Sequence, residues 1–309
     1  MYEKIRDDRQ MRALTGVSLR KFAELLPTFS KTYQQQQHKA YEAGLAQGTR
    51  KRKPGGGQKG KLPQMEDKLY FILSYYKTYP TFDELGVRFD LSRSKANEWV
   101  HRLSPVLQQT LQVLGHLPQR EFESVAAFRQ ALGEIGELLL DVTERPHQRP
   151  GDEQEQQELY SGKKKRHTVQ NLIISTFDKV IVFVSQTYEG RKHDYAILKE
   201  AFPPEFPWFE YFILLADLGF QGIQTDYVGD SIFIPFKKPR KCKANPDPKL
   251  TQAQKAVNKA LAQVRVRVEH AIAGCKRFNI LSHPFRNHKH GFDDQAMIVS
   301  AGLWNFCIS

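Results

Sequence analysis

Two short apolar runs in this sequence each end in a lone aspartate, Leu138-Leu139-Leu140-Asp141 and Ile213-Leu214-Leu215-Ala216-Asp217. Runs of this kind read as buried strands, so each places a carboxylate at the edge of a sheet. A buried carboxylate is costly unless it is paired or bound to a cation. If the two strands are neighbours, both acids enter one cleft and repel each other unless cations are shared between them. A local reading competes: each aspartate caps the turn that follows it, and Gly219 and Gly222 make a turn natural after Asp217. A third acid, Glu269, lies in the stretch Arg265-Val266-Arg267-Val268-Glu269-His270-Ala271-Ile272-Ala273-Gly274-Cys275-Lys276. At helical spacing Arg265, Glu269 and Lys276 share one face, while Val266, Ile272 and Ala273 are expected to form most of an apolar face against the sheet. Taken alone, Arg265 and Glu269 read better as a surface i,i+4 pair worth about 0.2–0.5 kcal/mol.

The elements that would carry these acids follow from periodicity. Besides the strands ending at Asp141 and Asp217, residues 167–176 and 180–185 read as strands joined by a tight turn at Asp178-Lys179, and 231–235 as a fifth. A helix is expected over about 194–200, a long one over 251–274 and a last one over 295–306. Residues 138–309 thus read as a β-meander, then β-α-β, then helices, and the interval 146–165, with its Lys163-Lys164-Lys165-Arg166 run, as an exposed loop.

The chain upstream is helical. Residues 1–46 carry apolar positions at helical spacing, with Ser18 placed to cap a helix beginning at Leu19. The stretch from Thr49 to Lys61 contains Lys51-Arg52-Lys53-Pro54-Gly55-Gly56-Gly57, which cannot hold a helix and reads as a basic linker. It is a solvated hinge, an arm that follows phosphates, or both. A helix over 65–76 ends near Pro80. A short helix then opens with Thr81 as N-cap and Glu84 at the third position, a capping box. After a turn at Asp90-Leu91-Ser92 a polar, basic helix begins over 93–100. This is a helix-turn-helix pattern in which Ser92, Arg93, Ser94, Lys95 and Asn97 would face a DNA groove. Leu85, Val87, Phe89, Ala96, Trp99 and Val100 would supply its small core.

Bulk properties narrow the class. The 309 residues suffice for two domains, and no apolar run reaches the roughly 18 residues that span a bilayer. The charged N-terminus lacks the apolar core of an export signal, which points to the cytoplasm. Cys242, Cys275 and Cys307 are too far apart for a disulfide framework or a CxxC zinc site, and His147, His167, His193 and His270 lack zinc-site spacing. A net charge of +12 with pI ≈ 9.5 favours a polyanionic partner, because neutralising phosphates releases counterions.

Five stretches, in one order, carry a family resemblance: Asp141-Val-Thr-Glu-Arg-Pro-His-Gln-Arg-Pro150, Tyr160-Ser-Gly-Lys-Lys-Lys-Arg-His-Thr168, Gly190-Arg-Lys-His-Asp194, Ala216-Asp-Leu-Gly-Phe-Gln-Gly222 and Arg265-x3-Glu269-x6-Lys276. Together they resemble DDE transposases of bacterial insertion sequences, a branch similar to Harbinger-type transposases, over residues 65–305. The resemblance implies an α+β/α/β architecture. An RNase H-like catalytic domain with a mixed five-stranded sheet flanked by helices (121–309) would follow an N-terminal helical segment (1–48), a linker (49–64) and a helix-turn-helix domain (65–120). It assigns Asp141, Asp217 and Glu269 as catalytic metal ligands sharing one cleft, and Arg265 and Lys276 as contacts to element-end DNA. His193 and Asp194 take a supporting role. Arg93, Lys95, Asn97, Lys51, Arg52 and Lys53 are the remaining expected DNA contacts. Two Mg²⁺ or Mn²⁺ ions are the implied cofactors, and double-stranded DNA, as terminal inverted repeats and target, is the implied partner at the bacterial nucleoid. A homodimer or larger synaptic assembly is expected, with no membrane. One departure stands out: related families place a tyrosine three residues before the arginine, where this chain has Ala262. A same-fold nuclease that cuts without joining and a domesticated DNA-binding protein remain the alternative readings.

Overall fold

The computed structural model describes residues 2–52, 60–133, 135–229, 231–243 and 246–309. The chain forms two compact units, Met1–Leu117 with Cys275–His283 and Asn287–Ser309, and Pro118–Gly274 with Pro284–Arg286. Among the described residues, no helix is long and apolar enough to cross a membrane.

The first unit is helical: α1 (Asp8–Thr15), α2 (Leu19–Ala46), α3 (Met65–Thr78), α4 (Phe82–Phe89) and α5 (Arg93–Val113). The last helix of the chain, Phe292–Ile308, also belongs to it. Ser18 caps α2 by accepting the Lys21 N–H. Thr81 and Ser92 likewise cap α4 and α5, accepting from Glu84 and Lys95. A helix-turn-helix forms where expected, although α5 runs well beyond residue 100. Asp90 ends α4 in the left-handed conformation, and the turn returns so closely that a Cβ on Gly86 would lie 2.6 Å from the Leu91 carbonyl oxygen. Glycine is the residue that admits this approach. Leu85, Phe89, Ala96 and Val100 form the small core, with Trp99 half-buried. Val87 does not join it: at 87% exposure it lies on the solvent face of α4.

The second unit is built on a mixed sheet. Its elements are α6 (Val125–Leu132), β1 (Glu137–Pro146), α7 (Glu153–Leu159), β2 (Tyr160–Ser161), β3 (Arg166–Ser175), β4 (Ile181–Val184), β5 (Tyr188–Glu189), α8 (Asp194–Ala201), β6 (Ile213–Leu215), α9 (Ile223–Asp226), β7 (Ile232–Phe233) and most of α10 (Gln252–Lys276); the terminal helix is α11. The strand order is β2-β3-β1-β6-β7, with β4 and β5 also pairing with β3. β1 runs antiparallel to β3 and parallel to β6, and β6 runs parallel to β7. With its two-residue strands β2 and β5 set aside, this is a five-stranded RNase H-like sheet flanked by helices.

Alternation along β1 and β6 sends side chains to opposite faces. Leu138, Leu140, Leu214 and Ala216 pack with Phe128 and Leu132 of α6 and Ile197 and Leu198 of α8. Leu139 and Leu215 pack on the other face against Val268, flanked by Leu261, Val264 and Ile272 of α10. The face of α10 that covers the sheet is therefore the 261-264-268-272 row, at the spacing of a helix face. The expected row differs: Val266 is 38% exposed and Ala273 is exposed.

Other boundaries also differ from expectation. The stretch taken as a loop contains α7, a helix without an apolar period that Asp152 nucleates by accepting the Glu155 N–H. β6 is shorter than 211–217, because Phe212 turns back to Phe209 through its N–H and joins the aromatic cluster around Phe128. Residues 275–283 and 287–309, expected with the catalytic sheet, group with the helical unit instead, as does the segment expected to stand alone at 1–48.

Candidate active site

The register of β1 and β6 positions the two aspartates. Leu138 lies opposite Leu214 and Leu139 opposite Leu215. Carrying that register two residues on brings Asp141 level with Asp217, on the same sheet face as Leu139 and Leu215 and beneath α10. Asp141 Oδ1 accepts the N–H of Val142 at 2.8 Å. Asp217 Oδ1 accepts the Gly219 N–H at 2.7 Å, capping the 3-10 turn Leu218–Phe220. The capping reading is thus correct for one oxygen of Asp217, while the other, Oδ2, lies 3.9 Å from Arg265 Nη2. One carboxylate both caps the turn and faces Arg265.

The pair is electrostatically crowded. Burial first, and the charge of Asp217 second, raise the Asp141 carboxyl to about 6, against the Val142 hydrogen bond and Arg265. Asp194 in the first turn of α8 is also raised, chiefly by burial, with Asp217 and Glu144 adding to the effect and Lys163 and His193 opposing it. Asp194 and Asp217 meet over one glycine: a Cβ on Gly219 would lie 2.6 Å from Asp194 Oδ2 and 2.8 Å from Asp217 Oδ1. Only a residue without a side chain lets both carboxylates approach there.

The segment leading to Asp194 is stitched to the sheet. A Cβ on Gly190 would fall 2.2 Å from Thr168 Oγ1 and 2.7 Å from the Leu159 carbonyl oxygen, so the turn sits flush on the base of the β2–β3 hairpin. The Gln170 side-chain amide donates to the carbonyls of Glu189, at 3.0 Å, and Lys192. His193 is exposed and serves as N-cap of α8, its Nδ1 accepting the Tyr195 N–H at 3.3 Å. Arg145 is fully buried at the same strand parity as Asp141 and donates to Asn171 Oδ1 at 2.8 and 3.2 Å and to Thr187 Oγ1 at 3.1 Å. It locks β1 to β3 beside the acids. Sequence reasoning missed Arg145, although an arginine at an inward parity of an apolar strand was a visible signal. The approach at Gly219 and the nearness of Lys163 to Asp194 left no local trace.

Not every expected residue joins the group. Glu269 is exposed on α10, one turn beyond Arg265, and Arg265 is the residue of that face that meets Asp217. Among the described residues, no three Asp, Glu, His or Cys side chains form a group that could hold a metal ion. Lys276 ends α10 and groups with the first unit. Arg93 and Lys95 are exposed at the start of α5, where they pair with Asp83 at 3.8 Å and Glu98 at 2.6 Å, and Asn97 is half-buried. Lys51 and Arg52 are exposed, and Lys53 lies outside the described residues.

The donor chemistry at Asp141 and Asp217 is compatible with a divalent cation. Both offer hard oxygen ligands, and Asp141 is raised by burial first and by the charge of Asp217 second, with Arg265 only partly opposing them. A cation there would relieve the repulsion that the fold builds in.

Comparison with known proteins identifies a family. The profile of the DDE superfamily endonuclease matches residues 140–305, and that of the helix-turn-helix of DDE superfamily endonuclease matches residues 60–112. The chain is 28% identical over 270 residues to a probable transposase for insertion sequence element IS702 from Microchaete diplosiphon, covering 86% of this chain and 88% of that protein. No solved structure matches. With two aspartates brought level under a late helix and a helix-turn-helix ahead of them, the chain belongs to the DDE superfamily endonucleases.

Proposed function

We propose that this protein is a transposase that binds the ends of its element, cuts them and joins them to target DNA. The observation that carries the reading is the parallel register of β1 and β6 beneath α10, which, carried two residues on, brings Asp141 level with Asp217. Asp141, Asp217 and Glu269 are the proposed metal ligands, with Glu269 joining the pair by a shift of α10. Two Mg²⁺ or Mn²⁺ ions held there would stabilise charge on the attacking and leaving oxygens of an in-line displacement at phosphorus. Water would be the first nucleophile and the freed 3′-hydroxyl the second, so no protein side chain need attack. The chain's own contribution is positioning and charge. Arg265, held 3.9 Å from Asp217, would meet a phosphate that enters the pair, and Asp194, which approaches Asp217 over Gly219, would take a supporting place beside it together with His193. Lys276, Lys51, Arg52 and Lys53 would follow the DNA backbone, and Arg93, Lys95 and Asn97 would enter a groove from the start of α5. Two ends must be held together for joining, so the working form would be a homodimer or larger assembly, acting on nucleoid DNA in the cytoplasm.

The test is a strand-transfer assay with an oligonucleotide duplex carrying the element's end and a supercoiled target. Joined product in Mg²⁺ or Mn²⁺ is expected. Nicking without joined product would assign a nuclease instead, and binding without either would assign a DNA-binding protein.

A further inference from the structure

The turn between β2 and β3 carries Lys163-Lys164-Lys165-Arg166, four consecutive cations, all exposed. Among the described residues none of the four lies within ion-pair distance of a carboxylate. Nearby surface lysines do: Lys192 pairs with Glu200 and Lys199 with Asp226. The turn is well ordered by its own bonds. Buried Ser161 accepts the Lys165 N–H at its carbonyl (2.8 Å) and the Lys164 N–H at its Oγ (3.1 Å). Lys165 adopts a left-handed backbone, φ 55°, a conformation that glycine or asparagine takes with less strain. A lysine at such a position points to a use for its side chain, since strain of this sort concentrates at functional sites.

The turn also has a place relative to the carboxylates. β3 runs antiparallel to β1 with Thr168 opposite Pro146, so the hairpin projects past the C-terminal end of β1, the end toward which the β1–β6 ladder gives out after Leu139 and Leu215. Gly190 packs on Thr168 and Leu159 at the hairpin's base, and the segment from it reaches Asp194 four residues later. Lys163 is the strongest positive influence on Asp194. A cationic turn without ion pairs thus lies within electrostatic reach of Asp194, the acid that meets Asp217 over Gly219.

We propose that the β2–β3 turn, Lys163 to Arg166, is a DNA-backbone contact that holds strand phosphates beside the Asp141–Asp217 pair. It rests on the reading that this pair acts on DNA. Phosphates fit because the four side chains present charge without a groove or a base-reading edge, so the contact is blind to sequence.

The experiment uses the full chain and a short fluorescein-labelled DNA duplex of arbitrary sequence, with affinity measured across a salt series. Each phosphate contact contributes roughly 0.9 to the slope of log K against log salt. Changing all four residues to glutamine is expected to lower the slope by about 3.6 and weaken binding at low salt. Lys165→Gly is the control for folding: it should lower the slope by about 0.9 and leave the melting temperature unchanged or raised, because glycine accepts φ 55°. An unchanged slope in both variants would overturn the proposal. If the wild type cuts and binds DNA but the variants keep its slope, only the hairpin assignment falls. If the wild type binds through the hairpin yet never cuts, the transposase reading falls and the hairpin stands. No binding of duplex by the wild type would sink both.

Discussion

Asp141→Asn should make the metal-free protein more stable, even though it removes the residue placed at the centre of the chemistry. In the folded chain, burial and the neighbouring charge of Asp217 hold the Asp141 carboxyl near 6 rather than 3.8. A raised carboxyl binds its proton more tightly when folded, so its ionised form opposes folding. That cost is fully present above pH 6, shrinks as pH falls through 6, and is gone near 3.8. At neutral pH it amounts to roughly 3 kcal/mol as an order of magnitude. Asparagine keeps an oxygen to accept the Val142 N–H and carries no charge. Recovering even half of the cost would raise the melting temperature of the sheet-bearing unit by about 3–6 °C. The assay is a thermal melt at pH 7.5 and pH 5 with chelator, then with Mg²⁺ or Mn²⁺. The wild type should be more stable at pH 5 than at pH 7.5 so far as this group is concerned, and the variant should lose that component. Added metal should stabilise the wild type and not the variant. A variant that melts lower than wild type at pH 7.5 in chelator would refute the electrostatic reasoning, and equal stabilisation of both by metal would refute the ligand role.

Three further outcomes follow from the packing. Gly219→Ala places a methyl group 2.6 Å from Asp194 Oδ2 and 2.8 Å from Asp217 Oδ1, so the acids must part; cleavage should fall by about 10- to 100-fold with a stability loss near 1 kcal/mol. A melt that is unchanged alongside full cleavage would show that the approach at Gly219 is dispensable. Gly86→Ala meets the Leu91 carbonyl at 2.6 Å and should cost about 1–3 kcal/mol in the helical unit and weaken duplex binding, both read on one sample by melting and fluorescence anisotropy. Arg145→Leu leaves Asn171 Oδ1 without its buried donor and should destabilise the sheet unit by about 2–4 kcal/mol, checked by urea unfolding.

The features visible in the sequence were those set by local chemistry. Thr81 and Ser92 marked the starts of α4 and α5 because a cap acts within three residues, and the two aspartates stood out because hydropathy changes sharply at one position, although β1 runs on past Asp141 to Pro146. What escaped was decided by partners distant in the chain. Which row of α10 is buried depends on where Leu139 and Leu215 lie, so Val266 and Ala273 were as plausible as Leu261 and Val264 until the sheet was in place. The allegiance of Phe292–Ile308 to the helical unit is tertiary, and no periodicity encodes it. α7 has no apolar stripe and owes its start to Asp152. At the site, Asp217 looked like either a cap or a ligand; with two oxygens facing different ways, the two descriptions were never exclusive.

The exposed position of Glu269 makes it the most informative residue to change. Metal-dependent cleavage of a duplex carrying the element's end, compared among wild type, Asp141→Asn, Asp217→Asn and Glu269→Gln at matched DNA occupancy, tests the three-carboxylate assignment most directly. All three variants should bind DNA as the wild type does and cut at least about 1,000-fold more slowly, as expected when an electrostatic element of the reaction is removed. Wild-type cleavage by Asp141→Asn or Asp217→Asn would contradict the account outright, and wild-type cleavage by Glu269→Gln would reduce the site to the aspartate pair that the strands bring together.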